Sequence, residues 1–243
     1  MEPYETWQLS HQTREILSGG TDNFFYYYSK RCIDVVLALL FLMLLLPLLA
    51  LIAILVKLDS HGPIFYIQER VGAKRHAREG QTIWEVQNFR FYKFRSMVHN
   101  ADTALHQAYI KAFVEGRAEI SAANGGKFKL TNDPRITRVG RILRKTSLDE
   151  LPQLFNVLKG QMSLVGPRPV PVYEVAQYQP WHHERLATLP GITGLWQVKG
   201  RCQVTFEEMI HMDIAYVRQQ SLWLDLKILF FTIPAVLSGR GAE

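Results

Sequence analysis

The sequence predicts a helix-rich α+β domain attached to a membrane. Three observations predict it. Val35 to Val56 is a run of 22 residues without a charged or polar side chain. Two strand-like runs, Ile64 to Val71 and Ile83 to Met97, are placed to form a β-hairpin. From residue 101 onward, helix-forming stretches alternate with turns marked by Gly and Pro.

The 243 residues suffice for one sizeable domain with a membrane element, and 48% apolar content excludes a disordered chain. With 28 Lys and Arg against 22 Asp and Glu, the net charge is +6. That balance suits nucleic acid, an anionic membrane surface or phosphorylated substrates without choosing among them. The two cysteines, Cys32 and Cys202, form no C-x-x-C, so neither a disulfide framework nor a zinc site is expected. A reducing, cytosolic setting for the soluble part follows.

The apolar run is long enough to enter a bilayer, which takes about 20 such residues in a helix. It starts too late for a signal peptide and no small-x-small pattern follows it. Pro47 lies just past its middle, where a missing donor and a ring clash predict a break or kink. Lys30 and Arg31 precede the run, and Lys57, Arg70, Lys74, Arg75 and Arg78 follow it. Basic flanks belong on the cytoplasmic side. A kinked span and a re-entrant hairpin both satisfy the run, and two basic flanks favour re-entry. The aromatic run Phe24 to Tyr28 reads as an interfacial belt, with core packing as the alternative. The expected divisions are an N-terminal cytoplasmic segment, 1–29, a re-entrant membrane helix, 30–58, and a cytoplasmic domain, 59–243.

Within that domain, Gly72 to Gln81 reads as a long polar loop joining the two strands. In the second strand Phe91, Lys93 and Arg95 share one face. The two cations face either solvent or phosphate. A helix is expected over 101–120, and "AANGGKFKL" reads as a turn into an extended piece. Next come a turn, a helical segment and a second helix ending at Gly160. "MSLVGPRPVP" and "LPGITGLWQVKG" read as loops, and 182–189 as a short helix. Thr205 opens a helix through a T-x-x-E capping box with Glu208. Ser221 to Leu237, apolar but interrupted by Asp225, Lys227 and Pro234, reads as an interfacial C-terminal helix.

"LRKTSLDELPQL" carries the most chemistry. Arg135, Arg138, Arg141, Arg144 and Lys145 precede two adjacent carboxylates, Asp149 and Glu150. Three-residue spacing predicts a cationic helix face, suited to anionic lipid or to a mixed-charge site. The carboxylates have an ordinary explanation. Ser147 with Glu150, or Asp149 alone, would cap a helix. Each version uses only one of them. A repelling pair beside cations could instead supply a nucleophile, a metal ligand and a proton acceptor. In "GPRP", Arg168 sits in a stiffened loop, where it would fork onto phosphate or bind carbonyls.

Taken together and in order, "KRCIDVVLALL", "DSHGPIFYIQERVG", "YKFRSM", "DPRITRVGRILRKTSLDELPQLFNVLKG", "MSLVGPRP", "PGITGLWQV" and "SLWLDLKIL" resemble the bacterial sugar transferase family. These are the polyprenyl-phosphate hexose-1-phosphate transferases, also called phosphoglycosyl transferases. The resemblance runs from about Ser29 to Thr232. It implies transfer of a sugar 1-phosphate from a UDP-sugar to a polyprenyl phosphate, with Mg²⁺ and release of UMP. It implies Asp149 as nucleophile and metal ligand, Glu150 as its helper, and Lys93, Arg144 and Arg168 around the phosphates. Pro47 matches the proline that makes the family's membrane helix re-entrant. The implied place is the cytoplasmic face of the bacterial inner membrane, monotopic and in contact with lipid, initiating exopolysaccharide synthesis. A homodimer is among the assemblies entertained. Gln161 and Lys199 depart from the usual family residues without removing a catalytic candidate. The competing readings are an inactive membrane scaffold of the same fold and a nucleic-acid binder. The first would release no UMP, and the second would show salt-dependent DNA or RNA binding, although no nucleic-acid motif is present. No D-x-D supports an ordinary metal-dependent glycosyltransferase.

Overall fold

A computed structural model describes residues 16–21, 23–102, 104–115, 133–200 and 204–237. The elements, in order, are β1 (Ile16–Thr21), α1 (Phe24–Asp59), β2 (Phe65–Arg78), β3 (Gln81–Phe94), α2 (Ala104–Val114), α3 (Arg138–Thr146) and α4 (Gln153–Leu158). They continue with β4 (Ser163–Val165), β5 (Val170–Pro171), α5 (Val172–Val175), β6 (Gly191–Thr193), α6 (Leu195–Lys199), α7 (Phe206–Arg218) and α8 (Leu222–Leu237). Short 3₁₀ turns occupy Leu148–Glu150 and Pro180–Leu186. The helix-rich α+β reading therefore holds.

The hairpin is longer and tighter than expected. β2 and β3 pair in unbroken antiparallel register from Phe65↔Phe94 to Arg78↔Gln81. Only Glu79 and Gly80 turn the chain, both at positive φ (53° and 77°), as a type I′ turn requires. The residues read as a loop, Gly72 to Gln81, are mostly strand because cross-strand pairing, not apolar alternation, extends it. β1 adds an edge strand against β3, and β5 pairs with β2, giving the order β1-β3-β2-β5. The loops read in "MSLVGPRPVP" and "LPGITGLWQVKG" need correction too. β4 and β6 form a short parallel pair within them, and α6 follows. The expected helix at 182–189 is the 3₁₀ turn ending at Leu186.

Burial along β3 switches phase. Thr82, Trp84 and Val86 are buried, then Phe89 and Phe91. The second set faces Ala38 of α1 and Leu154 and Val157 of α4, so the sheet is covered on both sides. Lys93 continues the Phe89–Phe91 face.

α1 is assigned as unbroken helix through Pro47, so the predicted break is not a loss of helical structure. Only 11% of the residues in its most apolar stretch are buried, unlike the core helix of a soluble protein. Both ends are pinned to the rest of the chain. Near the start, Arg31 donates to the carbonyls of Val157 and Leu158 at 2.5 and 2.8 Å. There too, buried Lys30 lies 2.8 Å from Asp225 of α8. At the far end, Arg95 donates to Val56, Ser60 and His61 carbonyls, and Asp59 accepts from Val139 N–H at 2.9 Å. Arg95 thus caps the C-terminus of α1 and does not aim at phosphate with Lys93. Ile52 and Val56 pack on Phe94 and Leu143, each burial contributing about 1.5–3 kcal/mol. Between these anchors, Met43 and Leu44 are 76% and 70% exposed.

The aromatic run divides. Phe24, Phe25 and Tyr28 are exposed, whereas Tyr26 is buried, donating to Asp225 at 3.1 Å, and Tyr27 packs edge-on to Trp84. In α8, Asp225 and Ile228 face inward, leaving Trp223 and Phe230 exposed. α2 falls inside the expected 101–120 helix, and "AANGGKFKL" lies outside the described residues. The Thr205–Glu208 capping box is present.

Candidate active site

The two carboxylates sit in a 3₁₀ turn, not at a helix cap. α3 ends where Ser147 enters the left-handed region (φ 57°), and its side chain makes no capping bond. The next helix begins behind Pro152, again without a side-chain cap. Both capping explanations for Asp149 and Glu150 therefore fail. What the fold provides instead is a sharp reversal that turns both side chains toward β3. Gly140 lets α3 lie close to that strand's exit, because a Cβ there would sit 2.0 Å from the Ser96 carbonyl oxygen.

Lys93, at the end of β3, points Nζ to within 2.6 Å of Glu150 Oε1 and 3.7 Å of Asp149 Oδ2. Arg168 donates to the same Glu150 oxygen at 2.8 Å. Burial pushes the Glu150 carboxyl up, but Arg168 and Lys93 outweigh it and hold it well below the usual carboxylate range. Asp149 is buried beside this cluster.

Arg168 is placed by its loop. A Cβ on Gly166 would lie 2.3 Å from the Leu189 carbonyl oxygen, so the "GPRP" backbone lies against the strand entering β6. Arg185, itself 1% exposed, donates to the Arg168 carbonyl at 3.2 Å and to Asp213 at 2.6 Å. Arg70 donates to the Pro169 carbonyl at 2.9 Å. These bonds fix two successive carbonyls, those of Arg168 and Pro169, on the C-terminal side of the arginine.

Lys93, Asp149, Glu150 and Arg168 line one cleft of about 580 Å³, together with Arg144, Arg135 and Arg70. All five predicted cleft residues therefore come together, with Arg144 on the wall. Pro47 is not among the lining residues. The cationic stripe does not act as a unit. Arg138, Arg141 and Lys145 are exposed, and Arg135 turns back to Asp133 with Nη2 2.6 Å from Oδ2.

Sequence reasoning missed Arg70, which it took for a flank charge. Its guanidinium lies 5.0 Å from the Phe91 ring centroid, and Lys93 Nζ lies 5.5 Å from the same centroid. Period-2 alternation in "YIQER" carried that signal, since it sets Tyr66, Gln68 and Arg70 on one face. His106 and Tyr173 were missed as well. They come from distant elements, and nothing local marks them.

Among the described residues no three His, Cys, Asp or Glu side chains gather to hold a metal. Mg²⁺ binds through one or two carboxylates and shares its remaining positions with water and substrate phosphate. Asp149 supplies one such carboxylate, buried beside Glu150 on the wall of the cleft, so the donor set fits a substrate-shared Mg²⁺.

The model of a family described as bacterial sugar transferase matches residues 25–239. Exopolysaccharide production protein ExoY of Sinorhizobium fredii is 44% identical over 214 residues, covering 88% of each chain. Undecaprenyl-phosphate galactose phosphotransferase of Salmonella typhimurium is also 44% identical, over 88% of this chain but 42% of its own length. Galactosyl transferase CpsE of Streptococcus agalactiae is 40% identical over 90% of this chain and 45% of its own. The chain thus spans less than half the length of these last two relatives and most of the length of ExoY.

Proposed function

We propose, from the premise that this chain belongs to the bacterial sugar transferase family, that it transfers a sugar 1-phosphate from a UDP-sugar to a polyprenyl phosphate. One observation carries the reading. Two adjacent carboxylates and the cations Lys93 and Arg168 share a cleft whose floor is tied, through Arg95, to the end of an exposed apolar helix. The names of relatives, which include an undecaprenyl-phosphate galactose phosphotransferase and a UDP-galactose-lipid carrier transferase, support both substrates.

The chemistry runs in two displacements. An Asp149 carboxylate oxygen attacks the phosphorus bearing the sugar. The bond from that phosphorus to the bridging oxygen breaks, and its electron pair leaves on UMP. The lipid phosphate then attacks the same phosphorus, and Asp149 departs as carboxylate. Any proton on the attacking lipid phosphate passes to Glu150. In the resting cleft Glu150 is a weak base because two cations hold it ionised. Donor phosphates draw on those same cations, so substrate binding strengthens the base where it is needed. Lys93, Arg168, Arg144 and Arg70 stabilise the negative charge that accumulates on the transferring group. Asp149 would hold Mg²⁺, which would add charge neutralisation on the phosphates.

The membrane part follows from the anchors. Lys30 and Arg31 at one end of α1, and Val56 and Asp59 at the other, bind the same domain. A domain on one side of a bilayer can hold both ends only if the apolar run enters and returns on that side. The proline at 47 supplies the bend, and the exposed apolar face of α8 rests in the interface. These anchors support a monotopic placement at the cytoplasmic face of the inner membrane, beside the lipid substrate, at the first step of exopolysaccharide assembly.

The test is UMP release from UDP-sugars with undecaprenyl phosphate and Mg²⁺. Wild type should turn over, and Asp149→Asn should lose about a thousandfold or more in rate. Near-full turnover by Asp149→Asn would remove the nucleophile assignment. No UMP from any donor would favour an inactive scaffold.

A further inference from the structure

One corner of the cleft holds a hydrogen-bonded pair of side chains. His106 of α2 and Tyr173 of α5 both line it, with His106 Nδ1 2.7 Å from the Tyr173 hydroxyl and the rings edge to face at 6.0 Å. Gln68 hydrogen-bonds Tyr173 as well. The hairpin register places this corner. Tyr66 is directly opposite Lys93, Gln68 opposite Phe91 and Arg70 opposite Phe89. At about 3.4 Å per residue, Gln68 is one side-chain step, ~7 Å, along the strand from the position facing Lys93. A phosphate held at Lys93 and Arg168 therefore leaves its attached group within reach of this corner.

Its surroundings make the neutrality notable. Arg70, Arg135 and Arg144 line the same cleft. Burial, reinforced by those arginines, lowers His106 to about 4. Burial raises Tyr173 to about 12. Both groups are uncharged near pH 7. A neutral imidazole paired with a phenol offers one donor and one acceptor in either tautomer. Phosphate is better matched by the cleft's arginines than by such a pair, whereas a hydroxyl, itself donor and acceptor, matches it. Sites built to hydrogen-bond a hydroxyl discriminate strongly against analogues that misplace it.

We propose that His106 and Tyr173 read the hydroxyls of the donor's sugar and so set which UDP-sugar this chain accepts. This rests on the donor site proposed above. The pair would prefer one epimer by hydrogen-bonding its hydroxyl at the positions their mutual bond leaves open, His106 Nε2 and the Tyr173 oxygen, while the cations bind every UDP-sugar alike.

The experiment measures kcat/KM for UMP release from UDP-glucose, UDP-galactose, UDP-N-acetylglucosamine and UDP-N-acetylgalactosamine, for wild type, Tyr173→Phe and His106→Gln. UDP affinity by calorimetry and the melting temperature are measured alongside. Tyr173→Phe removes a single oxygen and keeps the ring. The expected result is a wild type with a clear preference, a preference ratio reduced about tenfold or more in both variants, and UDP affinity within about twofold. Retention of the wild-type ratio in both variants would overturn the proposal. A wild type indifferent to the sugar would overturn it, as would equal loss on all donors together with loss of UDP binding. Absence of turnover by wild type on any donor sinks the underlying reading instead, which separates the two failures.

Discussion

Lys93 and Glu150, 57 residues apart in the chain, meet with Nζ 2.6 Å from Oε1 at the end of β3. The same ammonium is 3.7 Å from Asp149 Oδ2, so one cation serves both carboxylates. Glu150 is held low despite its burial because Arg168 and Lys93 converge on one oxygen. Its folded pKa lies below its unfolded value. The stabilisation it contributes is therefore present above the unfolded pKa and is lost as pH falls through the folded one.

Lys93→Met should raise the Glu150 pKa, since burial then acts against one cation instead of two. Two outcomes are expected. The acid limb of the kcat/KM–pH profile moves to higher pH, and kcat/KM at pH 7.5 falls on the order of a hundredfold. A pH–rate profile for wild type and variant checks both. An unmoved acid limb would detach Glu150 from the titration.

Arg185 reaches the site through the Arg168 loop and does not itself line the cleft. It donates to the Arg168 carbonyl while bound to Asp213 and near Glu174 at 3.7 Å. Arg185→Lys keeps the charge but cannot fork to Asp213 and reach that carbonyl at once. The expected cost is about 1–3 kcal/mol of stability and a donor KM raised several-fold with kcat less affected. In an Arg168→Ala background the same change should cost stability but no further KM. A full additional KM loss there would show that Arg185 does not act through Arg168.

The site was legible in the sequence as a set of residue types more than as a geometry. Asp149, Glu150, Lys93 and Arg168 stood out as charged candidates, each with an ordinary alternative, and it was the resemblance to the sugar transferase family that singled them out together. Their grouping was not readable, because β3, the 3₁₀ turn and the "GPRP" loop meet only in the folded chain. Local capping rules misassigned Ser147, whose left-handed backbone belongs to a tight reversal. Arg95 looked equivalent to Lys93 by alternation, yet it binds the carbonyls ending α1. Lys30 and Arg31 looked like topology signals, and they are internal pins to Asp225 and α4. The Thr205 helix was legible at once, since its capping box is a local device complete within four residues. β1, β4 and β6 are six residues or fewer and owe their form to partners distant in sequence, so no window could show them.

The position of the membrane helix gives the last prediction. Val35 to Val56 as a straight helix would rise about 33 Å, enough to cross a bilayer core of about 30 Å. The same run is held at both ends by one domain, at Arg31 and at Asp59. Re-entry therefore predicts that residues before and after the run face the cytoplasm. With Cys32→Ser and Cys202→Ser as background, Ser10→Cys and His61→Cys should both resist a membrane-impermeant maleimide in intact cells. Both should label after the inner membrane is permeabilised. Pro47→Leu restores a backbone donor and removes the ring clash, which favours the straight form. In that variant a fraction of one terminus should become reactive from outside, at a cost in activity as the anchors on one side are lost. Labelling of Ser10→Cys from outside with Pro47 intact would establish a span, and the two sets of anchors would then need a different explanation.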